Sequence, residues 1–264
     1  MSYEKIVQGL SLKVGPLGEN DRLLTLLSDE IGLTRIAVPG ARRPNSSLSG
    51  ATTLSLLQLH IVGRSNLKRV RQLKIIRSFN NVGKSLETLA ASQALAELTQ
   101  MLVPVNEPIP NLMTTVLVHL ETLEQLAKQN KSNPLWALAT AIQACMHLLA
   151  LGGYGLPIQK CCYTGHPLNP PIGNWDWRCS LIPEEGFAIG SVNTSTIQLN
   201  PSELALLQRL IGAHLPICAN GELMGPKRVW LTLLKIIEIW IETHLPKKIT
   251  SLSMLREIFL TNDL

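Results

Sequence analysis

The chain has 264 residues, of which 45% are apolar, so it is too apolar for a disordered segment and long enough to bury a sizeable core. Residues 1–15 lack the pattern of a secretory signal, and no apolar stretch reaches the roughly 20 residues that a membrane-spanning helix needs. Five cysteines are an odd and modest number, which favours a reducing compartment over a disulfide framework. We therefore expect a cytoplasmic protein.

The charge is divided unevenly along the chain. Residues 1–84 carry 13 Lys and Arg against 5 Asp and Glu, a net charge of +8, whereas residues 85–264 carry a net charge of −3. Such an asymmetry indicates that the first part faces a polyanion, either nucleic acid or an acidic membrane surface, although a solvated basic face is the alternative. The candidate nucleic-acid-binding residues are Arg22, Arg35, Arg42, Arg43, Lys68, Arg69, Arg71, Lys74 and Arg77.

The first 80 residues have the pattern of short strands separated by turns. Breakers containing Gly and Pro at 15–18, 32, 39–40 and 44–47 lie between the apolar runs. The pattern predicts strands over residues 6–14, 23–28, 33–38, 53–62 and 67–76. Five strands at this spacing predict a closed antiparallel barrel of the OB type, which we assign to a domain of residues 1–80.

From residue 81 onward the apolar spacing becomes helical, which predicts an all-α second domain over residues 81–264 and an α+β chain overall. Ser85 is a candidate cap for a first helix that turns Leu86, Leu89, Leu95 and Leu98 towards a core. Further helices are predicted over 112–130, from Pro134 to Gly152, over 226–245 and over 252–260. A capping box at Asn200 and Glu203 begins another helix.

An irregular, cysteine-containing insert is expected at about residues 158–190. The candidate metal ligands in it are Cys161, Cys162, His166 and Cys179, since a structural zinc ion needs four thiolate or imidazole ligands. Two of the cysteines are adjacent and no CxxC pair exists, so we expect no cofactor. Tyr163, Trp175 and Trp177 are the aromatic residues expected to pack the insert instead.

The motifs of common enzyme classes are missing. The sequence has no GxxxxGK[ST] phosphate loop, no GxSxG elbow, no HExxH and no carboxylate cluster of the two-metal kind. The sequence therefore predicts a binding protein without catalytic residues.

Several segments resemble the RecO family of recombination mediators. The resemblance is carried by residues 17–27 (LGENDRLLTLL), 32–44 (GLTRIAVPGARRP), 65–68 (SNLK) and 148–154 (LLALGGY), the last followed by the cysteines. It implies an OB-fold that binds single- and double-stranded DNA, followed by a helical domain whose insert often binds zinc. Thr164 stands where the second cysteine of the zinc knuckle would be, which is a departure from the family's pattern.

The resemblance also implies a function and partners. Members of the family take part in DNA repair and homologous recombination near the bacterial nucleoid. They anneal complementary strands, bind the C-terminal tail of single-stranded DNA-binding protein, and act with RecR, and in some bacteria RecF, to load RecA. A tail with a terminal carboxylate favours a basic rim, for which the candidates are Lys227, Arg228, Lys247 and Lys248.

The residues themselves indicate how the first domain would hold a strand. Many OB-folds stack bases on aromatic side chains, but Tyr3 and Phe79 are the only aromatic residues before Lys84. The grip is therefore expected to come from Arg and Lys on phosphate, which leaves the base edges free to pair. Two alternatives remain open: a basic OB-fold scaffold that binds RNA, and a zinc enzyme that uses His166.

Overall fold

Five strands form the N-terminal part of the protein. The computed structural model describes residues 3–63, 67–129, 133–192 and 197–261. Ser65 and Asn66 of the resemblance, and residue 130 at the expected end of the second helix, lie outside these ranges. The strands are β1 (Tyr3–Leu17), β2 (Asp21–Ser28), β3 (Gly32–Val38), β4 (Ser55–Gly63) and β5 (Lys68–Ser78).

The five strands close into a barrel in the order β1-β2-β3-β5-β4, as the sequence predicts. The expectation of a wholly antiparallel barrel is wrong, because β3 and β5 run parallel, with Ile36 opposite Lys68. The reason is geometric. Strand direction cannot alternate all the way round a closed ring with an odd number of strands, so one neighbouring pair must be parallel.

The turn between β1 and β2 also differs from the prediction. Gly15 and Pro16 were expected to break the chain, but both lie within β1, and the turn begins at Gly18. Pairing of β1 with β4 stops at Leu10, so Pro16 lies where one side of the strand has no partner. A residue without an N–H is tolerated at such an edge.

The outer surface of the barrel is partly buried. The barrel interior is one apolar cluster, centred on residues such as Leu24, Ile36 and Leu59. The larger cluster contains the helices and also Leu10, Leu12, Leu27, Leu33 and Phe79 from the outside of the barrel. One part of the barrel wall is therefore covered by the helical domain, and the remainder faces solvent.

The helical part contains α1 (Leu86–Leu102), α2 (Leu112–Lys128), α3 (Leu135–Leu151), α4 (Pro201–Arg209), α5 (Lys227–His244) and α6 (Thr250–Thr261). A short 3-10 helix, Asn80–Lys84, leads from the barrel into α1. Helix α3 is buried along nearly its whole length and contacts α1, α2 and α5, as expected of a central helix. Within the described ranges, no helix is long and apolar enough to cross a membrane.

The predicted helix starts are confirmed at two caps. The Ser85 hydroxyl accepts a hydrogen bond from the Thr88 amide at 3.2 Å, and Asn200 forms the capping box with Glu203. The prediction that Leu86 faces the core is wrong, since 58% of it is exposed. The buried face of α1 runs through positions such as Leu95 and Leu98, and Leu86 falls off that face at 3.6 residues per turn.

The insert is not irregular throughout. It contributes β6 (Cys179–Ile182) and β7 (Gly186–Ile189) to a three-stranded antiparallel sheet, in the order β7-β6-β8, whose third strand, β8 (Gln198–Leu199), follows the insert. Tyr163 and Trp175, expected to pack the insert, are 57% and 67% exposed. Trp177 does pack against the main core, as expected, together with Phe187 and the aliphatic residues of the small sheet. These strands are too short for their alternation to be recognised in the sequence.

A buried carboxylate joins the barrel to α2. Glu124 is 3% exposed and accepts hydrogen bonds from Arg77 Nη2 at 3.2 Å and from Asn81 Nδ2 at 3.0 Å. Lys128 Nζ lies 3.1 Å from the same carboxylate, and the Arg77 guanidinium also pairs with Glu121. Burial opposes ionisation of Glu124, but these partners outweigh it and lower the pKa of the carboxyl group.

We expect Glu124→Gln to reduce the free energy of unfolding by about 2 kcal/mol at neutral pH, because the buried side chain loses its charge-assisted hydrogen bonds and Arg77 and Lys128 lose their counter-charge. Glu121→Gln is the control: this carboxylate is 44% exposed, and its loss should cost less than about 1 kcal/mol. Urea unfolding measures both values.

The difference between wild type and Glu124→Gln should shrink as pH falls. A carboxyl group whose pKa is lowered on folding contributes stability above its unfolded pKa of about 4.3, and this contribution is lost as pH falls through the folded value. Equal losses for the two variants, or a difference that does not change with pH, would contradict this role of Glu124.

Candidate nucleic-acid interface

The basic side chains of the barrel fall into separate groups, the first of which lies on the open outer wall of the strands. Arg35 is the exposed residue of β3, and its cross-strand partner on β2 is Thr25. Arg69 of β5 lies opposite Ala37, two residues from Arg35 on the same face of β3. On the other side, Thr25 pairs with Lys13 of β1, so Lys13, Arg35 and Arg69 form one strand face.

Lys13 is a residue that the sequence alone did not single out. It stands alone in a predicted strand, and charge density along the chain favoured the Arg and Lys clusters further on. Its exposed side chain joins Arg35 only through the register of β1 with β2 and of β2 with β3. Neighbouring strands lie about 4.8 Å apart, so the two backbones are roughly 10 Å from each other.

The second group surrounds a hollow at one end of the barrel, which we call the end hollow. It measures about 450 Å³ and is lined by Arg22 and Arg42, among others. Arg22 Nη1 donates to the carbonyl oxygens of Ser49 and Ala51 at 3.1 and 2.8 Å, and Arg42 Nη1 donates to that of Gly18 at 3.1 Å. Carbonyl oxygens orient a guanidinium without neutralising its charge, so the end hollow stays basic.

Arg43 lies in the same loop as Arg42. It differs from Arg22 and Arg42 in the surroundings of its guanidinium. Its side chain is exposed and approaches the backbone of Gly40, which has a φ of +62° and turns the chain out of β3. No hydrogen bond or ion pair holds its guanidinium within the described part of the chain. Arg43 is thus available to an external anion.

The third group lies on the outer face of β4 and β5. Arg71 and Lys74 line a hollow of about 420 Å³ together with Ile6, Gln58 and His60. Arg71 lies 3.8 Å from Glu4, but both side chains are more than half exposed, so this ion pair is weak. The wall therefore offers two cationic side chains beside Ile6, which is 63% exposed.

Lys68 and Arg77 are placed differently from the other candidates. Lys68 is half-buried beside β3, and the Arg77 guanidinium is paired with Glu121 and Glu124 of α2. Arg77 also lies 4.7 Å above the ring of Phe79. The structure thus uses Arg77 to attach the barrel to the helices.

No Phe, Tyr or Trp ring is exposed to a base among the described side chains of the barrel. Phe79 is 1% exposed and belongs to the core beneath the helices. The side chain of Tyr3, the other aromatic residue of this part, lies outside the described residues. The described part of the open surface therefore offers cationic side chains to a ligand, but no Phe, Tyr or Trp ring.

The expected partner-binding residues do not share one rim. Lys227 Nζ lies 5.8 Å from the centre of the Phe259 ring. Arg228 lines a hollow of about 370 Å³ between α4 and the start of α5, together with Arg209 and the exposed Ile172 and Trp175. Lys247 and Lys248 line a different groove, beside the barrel.

The cysteines of the insert do not form a metal site. The Sγ atom of Cys161 accepts a hydrogen bond from the Ile189 amide at 3.4 Å. Burial of this thiol favours its neutral form, but the hydrogen bonds from Thr164, Ile189 and Tyr163 outweigh burial and lower its pKa to about 7. Burial and the neighbouring thiols raise the pKa of Cys179 to about 12.

No cluster of three or more His, Cys, Asp or Glu side chains able to hold a metal ion exists among the described residues. The Thr164 side chain stands where the family's pattern has a second cysteine, and it donates a hydrogen bond to the Cys161 sulfur instead of supplying a thiolate. The residues present therefore do not fit the zinc site that the insert suggests.

Comparisons with known proteins match both parts of the chain. Residues 1–79 match the family model for the N-terminal part of recombination protein O, and residues 83–253 match that for its C-terminal part. The DNA repair protein RecO of Prochlorococcus marinus (strain MIT 9303) is 62% identical over 99% of this chain and 98% of its own length.

More distant relatives are also aligned along nearly their whole length. The DNA repair protein RecO of Synechococcus sp. (strain CC9311) is 56% identical over 97% of this chain and 98% of its own length. That of Trichodesmium erythraeum (strain IMS101) is 31% identical over 94% of this chain and 92% of its own length.

The two kinds of arginine should respond differently to substitution. Arg22→Ala removes two hydrogen bonds that close the barrel end, so we expect a loss of about 1–3 kcal/mol in the free energy of unfolding. Arg43→Ala should change that free energy by less than about 0.5 kcal/mol, yet weaken binding of a labelled oligonucleotide. Urea unfolding and fluorescence anisotropy measure the two effects, and a destabilised Arg43→Ala would contradict the assignment.

Proposed function

The chain belongs to the RecO family of DNA repair and recombination proteins, and from this membership we propose how it acts on DNA. It binds single- and double-stranded DNA through phosphates and anneals complementary strands. It also helps to load RecA onto strands coated by single-stranded DNA-binding protein, together with RecR and in some bacteria RecF. The proposal includes a cytoplasmic, nucleoid-associated location, no cofactor and no catalytic step.

The observation that supports this proposal is the chemistry of the open barrel surface. Arg42 donates only to a neutral carbonyl group, Arg43 has no partner in the described residues, and Phe79 is buried. Such a surface attracts phosphates, and its described residues expose no Phe, Tyr or Trp ring on which a base could stack. Phosphates are common to single and double strands, so both forms fit it.

Binding of DNA through its phosphates favours strand annealing for a physical reason. Repulsion between the two phosphate chains opposes pairing, and cationic side chains reduce it. Stacking on aromatic rings would be worth about 1–3 kcal/mol per base, and this energy would have to be given up before each base could pair. A basic surface that binds the phosphates and leaves the bases unstacked avoids that cost.

Replacing Arg42 and Arg43 together by alanine tests the proposal. Each phosphate contact to a single strand contributes about 0.7 to the slope of log affinity against log salt, so the slope should fall by about 1.4. Strands of different sequence should lose affinity alike, and annealing of complementary oligonucleotides should slow. Lys160→Ala with Lys235→Ala removes the same charge from exposed positions outside the barrel and should change neither property.

The alternatives predict other results. An RNA-binding scaffold would prefer RNA to DNA of the same sequence and would not anneal strands. An unchanged salt slope in the Arg42 and Arg43 variant would remove these residues from the interface.

We also propose a site for the tail of single-stranded DNA-binding protein, in the hollow beside Arg228. The hollow is mostly apolar, with Ile172 and Trp175 exposed at it, and Arg209 and Arg228 supply positive charge. An acidic C-terminal peptide needs this combination, because its carboxylates pair with arginine while its apolar side chains leave water.

Arg228→Ala should weaken binding of a labelled tail peptide by roughly tenfold, as expected for loss of one charge-assisted hydrogen bond. Lys247→Ala with Lys248→Ala is the matched control and should leave the peptide affinity unchanged, because these lysines line the other groove. The reverse result would place the tail beside the barrel instead of between α4 and α5.

A further inference from the structure

A groove between the barrel and the helices brings together lysines from distant parts of the chain. It measures about 480 Å³ and is lined by Lys13 of β1 and by Lys247 and Lys248 from the connection between α5 and α6. Its opposite wall is α1, which contributes Gln93 and Gln100. The groove is therefore formed jointly by the barrel and the helical domain.

The positive charge of this groove is only partly compensated by the residues that line it. No ion pair or hydrogen bond joins the ammonium groups of Lys13, Lys247 and Lys248 to another residue in the described part of the chain. Glu97 also lines the groove, but its carboxylate accepts hydrogen bonds from the hydroxyl and the amide of Ser251, at 2.6 and 3.4 Å. Three lysines and one carboxylate, which is hydrogen-bonded to Ser251, give the groove a net positive charge.

The groove continues into the end hollow of the barrel. Val14 and Thr53 line both, so the two cavities meet at these residues. A track of basic side chains thus runs from Arg42, past Lys13, to Lys247 and Lys248. Lys13 also belongs to the strand face with Arg35, which connects the track to the open wall of the barrel.

We propose that the groove holds a second stretch of the single strand that the barrel binds, with its phosphates on Lys13, Lys247 and Lys248. This inference rests on the proposed function and extends the DNA footprint from the barrel onto the helical domain. Cations spaced along a track match a polymer with regularly repeated charge, whereas a peptide tail with a terminal carboxylate needs an apolar pocket beside its cation. Lysine and glutamine side chains supply polar contacts along this groove beside Leu12 and Met101, whereas the hollow beside Arg228 is the more apolar of the two.

The consequence is a dependence on strand length. A barrel of this type covers about 4–16 nucleotides, so a strand of about 8 can be held by the barrel alone. A strand of about 30 nucleotides is long enough to enter the groove as well, since the groove adjoins the end hollow. Only the longer strand should depend on Lys247 and Lys248.

Fluorescence anisotropy with labelled oligothymidylates of about 8 and about 30 nucleotides tests this inference on the full chain. Lys247→Ala with Lys248→Ala should bind the long strand roughly tenfold more weakly at low salt, lower its salt slope by about 1.4, and leave the short strand unchanged. Lys160→Ala with Lys235→Ala is the charge-matched control and should bind both strands like the wild type. Thermal unfolding confirms that each variant is folded.

Two results would overturn the inference. Equal loss of affinity for both lengths would mean that the lysines act through overall charge, and an unchanged long strand would mean that the groove does not hold DNA. In both cases, wild-type protein that still binds the two strands in a salt-dependent manner leaves the proposed function standing. If the wild-type protein binds neither strand, both the proposed function and the proposed role of the groove are contradicted.

Discussion

Burial of leucines from the outer wall of the barrel determines where a polyanion can approach this protein. Leu10, Leu27 and Leu33 lie in the same core as the helices, so one part of the barrel wall is unavailable to a ligand. Each buried leucine contributes about 1.5–3 kcal/mol, which makes this interface part of the fold and not a loose contact between domains. The basic side chains are left on the part that remains open.

The connection after α1 reinforces this arrangement. The Asn106 amide donates to the Leu33 carbonyl oxygen at 3.0 Å, at the start of β3. Beside it, Gly32 has a φ of +65°, and a Cβ atom there would lie 2.5 Å from the backbone of Glu107. Only glycine fits a site with this conformation and this close approach. Helix α1, which belongs to the core that covers part of the barrel, also forms one wall of the groove that contains Lys13, Lys247 and Lys248.

The sequence predicted much of this fold. The five strands, the central helix between Pro134 and Gly152 and the capping box at Asn200 depend on local patterns, and the structure confirms them. The parallel pairing of β3 with β5 follows from closure of a five-stranded ring, which no local pattern records. The small sheet of the insert was missed because its strands have two to four residues.

The candidate interface was predictable only as a list of charges. Charge density found Arg42 and Arg43, but it could not separate them from Arg77, whose guanidinium attaches the barrel to α2. It also missed Lys13, which joins other basic residues only through strand register and domain packing. Likewise, Arg228 and Lys247 are close in the sequence but line different cavities. The positions of these charges relative to one another depend on tertiary structure.

The central claim is that this protein holds DNA by its phosphates and leaves the bases free. The most direct test compares binding of a single strand with that of an abasic strand of the same length, which keeps every phosphate and lacks every base. Binding through phosphates alone predicts nearly equal affinities and equal salt slopes for the two strands. Loss of about 1–3 kcal/mol of binding free energy for each missing base would show that the bases are stacked, and would contradict the account.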